Sequence, residues 1–454
     1  MKRRKFISTS GKITLGFLGL HSYLSQAHPM EAGYGPLQTD PEGILNLPKG
    51  FSYKIISRMG EPMADGLILP GRADGMATFE GKQGKVVLIR NHEVSVNDQE
   101  NGAFGPNYEQ LKKLDAKKFY DYARGNTPCL GGTTTVVFDE NSQQVESQFM
   151  SLAGTIRNCA GGKTPWNSWI TCEEDVTVAD DIIEHDHGFN FEVPATEKPT
   201  LANPVPLKDM GRFNHEAVAV DPRTGIVYQT EDRMDGLIYR FIPNQYGKLA
   251  RGGKLQMLVI KDKPAFDTRN WQELEGEKMP LRTLWEVEWI DVENPFSKED
   301  DLRFLGKEKG AAIFARGEGA WWGENEFYFA CTAGGANQKG QVFRYVPSEY
   351  EGTSRENEAP GKLEVFAEPN DTDILQNCDN LTVAPWGDVV LVEDRSNPNM
   401  VGITPDGKFY KLAENVGYKS EMAGVTFSPS GKTLFVNIQH AGLTFAITGR
   451  WGRG

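Results

Sequence analysis

The residues able to do chemistry recur in one setting, the polar ends of short apolar runs. Asn214-His215-Glu216 leads into Ala217-Val218-Ala219-Val220; after a turn at Asp221 to Gly225, the run Ile226-Val227-Tyr228 exits at Glu231-Asp232. Carboxylate, carboxamide and imidazole in one cluster are metal-ligand types. Five further stretches share the layout: Asp74 to Glu93, Asn158 to Asp175, Arg316 to Gly335, Asp379 to Asp394 and Ala423 to His440. Together they nominate Glu93, Cys172, Glu173, Glu216, Glu231, Asp232, Glu318, Asp379, Glu393 and Asp394, with Asn91, Asn158, Asn214, His215 and Arg316. Carboxylates within about 4–6 Å raise one another's pKa unless cations intervene. Bound metal resolves that repulsion. Oxygen donors favour calcium, and a thiolate or imidazole among them favours a transition metal. Any single acid could instead cap a strand or pair with lysine or arginine; the recurrence carries the metal reading. Arg316 is read as the one cation embedded in such a lead-in. Its guanidinium could hold a phosphate by two parallel hydrogen bonds, or form a salt bridge to nearby acids.

Positioning these groups requires hairpins. Two short alternating runs joined by a Pro- or Gly-bearing turn make a β-hairpin, which brings its polar lead-in and exit side by side. Six irregularly spaced copies, separated by further strand-like runs, predict an all-β fold, a six-bladed β-propeller with loop and helical insertions. Each hairpin would be the inner pair of a blade, with every lead-in and exit at one mouth of the channel. FSYKII, Phe51 to Ile56, is the candidate closing strand. Gly131 to Thr155, GLIYRFIPN, KLQMLVIKD, GQVFRYVP, KLEVFAEP and GLTFAIT read as outer strands. Residues 94–128 form a polar insertion with some helical spacing from Tyr108 to Tyr122, a lid or a decoration. Residues 263–310 are charged and loop-rich, with one strand at Leu284 to Ile290. The loop from Val176 to Leu207 carries Asp180-Asp181, His185, Asp186 and His187, able to bind metal or simply solvated charge.

The 454-residue chain has a formal net charge of −13, which argues against a nucleic-acid partner. Residues 1–27 read as an export signal: Arg3-Arg4, an apolar stretch around Ile13 to Leu20, and the cleavage pattern Ser25-Gln26-Ala27. Removing it also removes five cations, taking the charge to about −18. Residues 28–454 read as a single propeller domain, a monomer with no membrane span, because no later apolar run approaches the roughly 20 residues that spanning needs. Five cysteines leave at least one thiol unpaired, and Cys159, Cys172, Cys331 and Cys378 lie in or beside the hairpin ends. A disulfide, buried thiols or one metal thiolate all fit. No phosphate loop, GxSxG turn or HExxH helix occurs.

Asn91-His92-Glu93, GGTTT, NCAGGKTPWNSWITCEED, GRFNHEAVAVDP, YQTED, ARGEGAW, CDNLTVAPWGDVVLVED and GVTFSPSGKTLFVNIQH closely resemble the PhoX-type alkaline phosphatases, from about Asp74 to Gly449. The resemblance implies a six-bladed propeller and a phosphomonoesterase exported by the twin-arginine machinery to the periplasm or beyond. It also implies Fe3+ and Ca2+ around a bridging oxygen, with small phosphate esters as substrates. It matches the iron thiolate to Cys172 in TCEE, acidic ligands to Glu173, Glu216, Glu231, Glu318 and Asp379, and the phosphate-gripping arginine to Arg316, with Asn158 its partner. Replacing Cys172 with Ala is then expected to abolish iron binding and most turnover. Two rivals remain at this point: a calcium-dependent propeller hydrolase of lactones or phosphotriesters, and a non-catalytic propeller that uses calcium for stability.

Overall fold

Runs such as Val86-Val87-Leu88-Ile89 and Val389-Val390-Leu391-Val392 are β-branched or branched apolar side chains that suit a pleated, buried surface. In the computed structural model, which describes residues 33–125 and 128–452, each of the six expected hairpins forms. They pair Ala73–Glu80 with Lys85–His92, Asn158–Lys163 with Ser168–Glu173, and His215–Val220 with Val227–Glu231. The remaining three pair Gly317–Trp322 with Phe327–Cys331, Cys378–Val383 with Val389–Glu393, and Met422–Phe427 with Thr433–Ile438. Their first strands touch in a closed ring, each packing on the next and the sixth on the first. The export signal read at residues 1–27 lies outside the described residues.

Small residues allow that close approach. A Cβ at Gly75 would stand 2.5 Å from the Ala160 Cα, and one at Gly319 2.5 Å from the Asn380 Cα. A second shared feature sits one step away. In all six hairpins the register slips just inside the open end, between Ala73 and Met76, Asn158 and Gly161, His215 and Val218, Gly317 and Ala320, Cys378 and Leu381, and Ala423 and Thr426. A bulge bends its strand and re-aims side chains, so six copies turn six strand entrances toward one axis.

The outer strands distribute the hairpins over five sheets rather than six separate blades. The third and fourth hairpins share a nine-stranded sheet, whose halves meet through only Trp285↔Leu363 and Glu286↔Lys362. The second hairpin is extended by Asn190–Pro194 alone. The architecture is therefore all-β and propeller-like. Ser52–Arg58 pairs with the last strand, Leu443–Thr448, as the closing strand was expected to do.

Among its described residues the insertion at 94–128 forms no α-helix. It forms 3-10 turns at Gln99–Asn101, Leu111–Lys113, Ala116–Lys118 and Ala123–Gly125. Its apolar side chains, Phe104 and Phe119 among them, pack on Met63, Leu67 and Leu69, so the spacing served burial and not a helix. Among the described residues the single α-helix is Leu302–Glu308. No helix among them is long and apolar enough to cross a membrane. All five cysteines are free and buried.

Candidate metal centre

Each hairpin closes on a terminal pair, such as Asn158↔Glu173 or His215↔Glu231. Side chains alternate along a strand, so the residue next to each member of that pair faces the opposite way. On the entering strands these neighbours are Asp74, Cys159, Glu216, Glu318 and Asp379; beyond the returning strands they are Glu93, Glu174, Asp232, Asp394 and Gln439. All ten line one cavity of about 370 Å³, joined by Arg72, Arg157, Arg316, Glu421 and His440.

The ligand atoms crowd together. The Cys159 thiol lies 3.1 Å from Glu216 Oε1 and 3.8 Å from Asp74 Oδ2. Three overlapping groups form, with ligand atoms in each within 4.8 Å of one another: Asp74, Glu93 and Cys159; Cys159, Glu174 and Glu216; Glu216, Glu318 and Asp379. Cys159 and Glu216 are each shared by two groups. Asp74 Oδ1 and Glu216 Oε2 are buried without any hydrogen-bond partner. Burial first, and neighbouring acids second, push Asp74, Glu216, Glu318 and Asp379 well above the carboxylate range. Glu174 is pushed up to about 8 by burial and by Glu93, and Glu421 to about 9 by burial and by Asp394. Burial and then Asp74 and Glu216 raise the Cys159 thiol. Leaving buried acceptors bare costs about 1–3 kcal/mol each, which bound cations would remove. Oxygen donors with one thiol fit calcium beside a transition metal.

Three arginines, not one, stand at hairpin lead-ins. Arg72, Arg157 and Arg316 hold φ angles of 52°, 47° and 54°, a left-handed conformation that costs a non-glycine residue about 1–3 kcal/mol. The Arg316 guanidinium bonds Asp232 through Nε and Nη2 at 2.9 and 3.0 Å, and Glu318 at 2.7 Å. Its Nη1 reaches only Asp394, at 3.5 Å. Arg157 bridges Glu93 at 2.5 Å and Glu174 at 2.7 Å. Gln439 donates to Asp74 at 2.6 Å and Glu93 at 2.9 Å.

Of the residues nominated from sequence, the fold brings Glu93, Glu216, Asp232, Glu318, Asp379, Asp394 and Arg316 to the cavity. Cys172, Glu173, Glu231, Glu393 and Asn158 do not line it. Cys172 is buried among apolar side chains including Met210, Phe213 and Val218, from the third hairpin and the segment leading into it. Asn158 spends its carboxamide on Thr155 and Thr171. Glu173 accepts from the N–H groups of Ile156, Gly188 and Phe189. Glu231 accepts from Leu237 N–H and Tyr239 O–H. Glu393 accepts from the N–H groups of Gln376 and Asn399. These acids point one strand face away from the axis and strap loops.

Nearby residues support the site indirectly. Asn91 donates to the Cys159 and Ala160 carbonyls, and Asn214 to Glu174. The His215 ring packs tilted against Phe213, and burial lowers its pKa to about 3. Sequence reasoning missed Asp74, Cys159, Glu174, Glu421, Gln439, Arg72 and Arg157 as site residues. For Arg72, Asp74, Arg157 and Cys159 the signal was a fixed offset: an Arg or Asn, one residue, a ligand type, then usually a small residue, as in Arg72-Ala73-Asp74-Gly75, Arg157-Asn158-Cys159-Ala160 and Arg316-Gly317-Glu318-Gly319.

Fold and site define a class of all-β, propeller-like proteins with an acidic, thiol-bearing axial pocket. The family model described as alkaline phosphatase PhoX matches residues 32–147 and 139–442, and the chain belongs to that family. Among solved structures, Pseudomonas fluorescens PhoX in complex with vanadate, a transition state analogue, is 18% identical, with a TM-score of 0.65 over 92% of this chain and 97% of that one. A gluconolactonase from Xanthomonas campestris is 11% identical, with a TM-score of 0.39 over 92% of this chain and 99% of that one. No curated protein sequence matches the chain.

Proposed function

We propose that this protein is an exported alkaline phosphatase that hydrolyses phosphomonoesters at a mixed centre of ferric iron and calcium, releasing inorganic phosphate. The observation that carries this is the Cys159 thiol among converging carboxylates, in a chain of the PhoX family. Calcium alone takes oxygen ligands, so a thiol at the heart of the cluster favours a transition metal there. On this reading Cys159, rather than Cys172, is the iron thiolate, because its thiol and not that of Cys172 lines the cavity. Asp74, Glu93, Glu174, Glu216, Glu318 and Asp379 are the acids placed to hold the ions. When bound, the cations supply electrophilic activation of the phosphoryl group and neutralise charge developing on its oxygens.

The chain's own part is binding and orientation. Asp232 fixes one edge of Arg316 by two bonds, leaving Nη1 on its weakest contact and free to turn to a phosphate oxygen. Cations that engage Glu318 and Asp394 would release the guanidinium further. Arg157 occupies the equivalent place in the second hairpin and adds positive charge to the pocket. Neither arginine needs a side-chain nucleophile beside it. The same reading takes the nine-stranded sheet as two blades fused at one edge, which gives six blades. It also takes the twin-arginine export machinery as partner, the periplasm or exterior as destination, and a monomer.

The test is a phosphomonoester assay coupled to elemental analysis on natively exported protein. Iron and calcium are expected to co-purify, and chelation is expected to abolish turnover. Hydrolysis that survives complete chelation overturns the reading, as does a folded, metal-loaded protein inert toward phosphomonoesters.

A further inference from the structure

Outside the cavity, among the described residues, one other cluster gathers metal-ligating side chains from three separate segments. Asp121 comes from the end of the 94–128 insertion, Cys129 from the run into strand Gly131–Asp139, and His187 from the loop after the second hairpin. Their ligand atoms lie within 4.8 Å of one another, and none of the three lines the axial cavity. All three side chains are fully buried.

The imidazole is aimed. His187 Nδ1 lies 2.6 Å from Glu173 Oε1, and that carboxylate is itself fixed by three backbone N–H groups. The ring's other nitrogen, Nε2, faces Cys129 Sγ at 3.9 Å and Asp121 Oδ2 at 3.5 Å. A histidine whose outer nitrogen is tied to a carboxylate is the arrangement that orients an imidazole toward a metal and raises its basicity. Asp121 is held equally firmly, accepting from the N–H groups of Ala123, Glu184 and His185. Zinc–ligand bonds of about 2.0–2.3 Å in a tetrahedron separate the ligands by roughly 3.3–3.8 Å, close to the 3.9 and 3.5 Å from His187 Nε2 to its two neighbours.

We propose that Asp121, Cys129 and His187 form a second metal site, distinct from the axial centre, that takes zinc. Sulfur, nitrogen and oxygen donors together suit this borderline ion. Binding releases the Cys129 thiol proton and any proton on His187 Nε2, and leaves the fourth position to water. The ion staples the insertion and the following loop to Glu173, whose neighbour Glu174 faces the axial cavity. Without metal, the same atoms would be an imidazolium held between Glu173 and Asp121, and the experiment separates the two.

The probe is Co2+ alone, added to metal-stripped protein carrying Cys159→Ser, which removes the cavity's thiol. A thiolate-to-cobalt charge-transfer band that saturates at one equivalent is expected, and it is expected to vanish on adding Cys129→Ser or His187→Gln. Absence of the band with Cys129 intact, or an unchanged band in the double variant, overturns the proposal. Should Cys159→Ser fail to fold by circular dichroism, zinc content of the natural chain against Cys129→Ala decides. A loss of one zinc per chain supports the site, and equal content refutes it.

Discussion

Two rings of acidic residues stand one position apart in the chain and meet opposite environments. Glu173, Glu231 and Glu393 close the hairpins and turn away from the axis, where each accepts hydrogen bonds from neighbouring backbone N–H groups. Glu174, Asp232 and Asp394 follow directly and face the cavity beside Asp74, Glu216, Glu318 and Asp379. The outer ring draws its partners from the protein itself, except for Glu231 Oε1, which has no hydrogen bond and only Arg303 at 3.9 Å. The inner ring carries bare oxygens at Asp74 and Glu216, and its charge is balanced only partly by arginines. The difference shows that a carboxylate's role here follows from the strand face it occupies, and its residue type says little.

That contrast can be broken from either side. Replacing Glu216, shared by two ligand groups, with Ala is expected to cost about 10³-fold in phosphatase turnover and to lower metal content in elemental analysis. The same change is expected to raise the melting temperature of chelated protein, since it removes a buried acid whose ionisation burial and neighbouring carboxylates disfavour. On the outer ring, Glu393→Ala is expected to cost about 3 kcal/mol in denaturant unfolding, by stranding the Gln376 and Asn399 N–H groups and the Arg395 guanidinium. Turnover per folded molecule should fall less than tenfold there, and a larger loss would merge the two rings.

Arg316→Lys keeps the charge but loses the fork. About 10–100-fold in kcat/KM should go, chiefly through KM, measured by steady-state kinetics. The inner ring also predicts a pH dependence of the chelated protein. Glu174 and Glu421 rise from an ordinary 4.5 to about 8 and about 9 on folding, so the native state binds more protons than the unfolded chain in between. Stability is then fullest below about pH 4.5 and falls as pH climbs through 8 and 9. Metal should flatten that slope in thermal melts, and a chelated protein that gains stability over this range would contradict the inner-ring picture. The smallest effect sharpens the comparison of thiols. Cys172→Ala, in the apolar layer, should change activity less than about threefold and stability by about 1–2 kcal/mol, whereas Cys159→Ala should remove iron.

Much of this was legible beforehand. Alternation and turns marked all six hairpins, and the polar ends marked the mouth where Glu93, Glu216, Asp232, Glu318 and Asp379 meet. The phase was not legible. TCEED, YQTED and VVLVED each present adjacent acids, and with a period of two a one-residue slip exchanges the axis for the scaffold. The bulges that set this phase follow Asp74, Cys159 and Glu216 and leave no residue signature beyond a small side chain, so Glu173 was read for Glu174; Cys172 was matched through the family resemblance, and the fold puts Cys159 and not Cys172 in the cavity. The helical spacing at 108–122 misled for a related reason, since 3-10 turns buried the same apolar residues.

By itself the chain determined its strands, its turns and the acidity of their tips, because these depend on neighbours within a few residues. Only the tertiary structure decided which tips face the axis and which thiol joins them. It alone brought Asp121, Cys129 and His187 together. Those outcomes depend on how six bulged strands close into a ring and how two loops fold over it, contacts between residues far apart in sequence whose pairing no local pattern encodes.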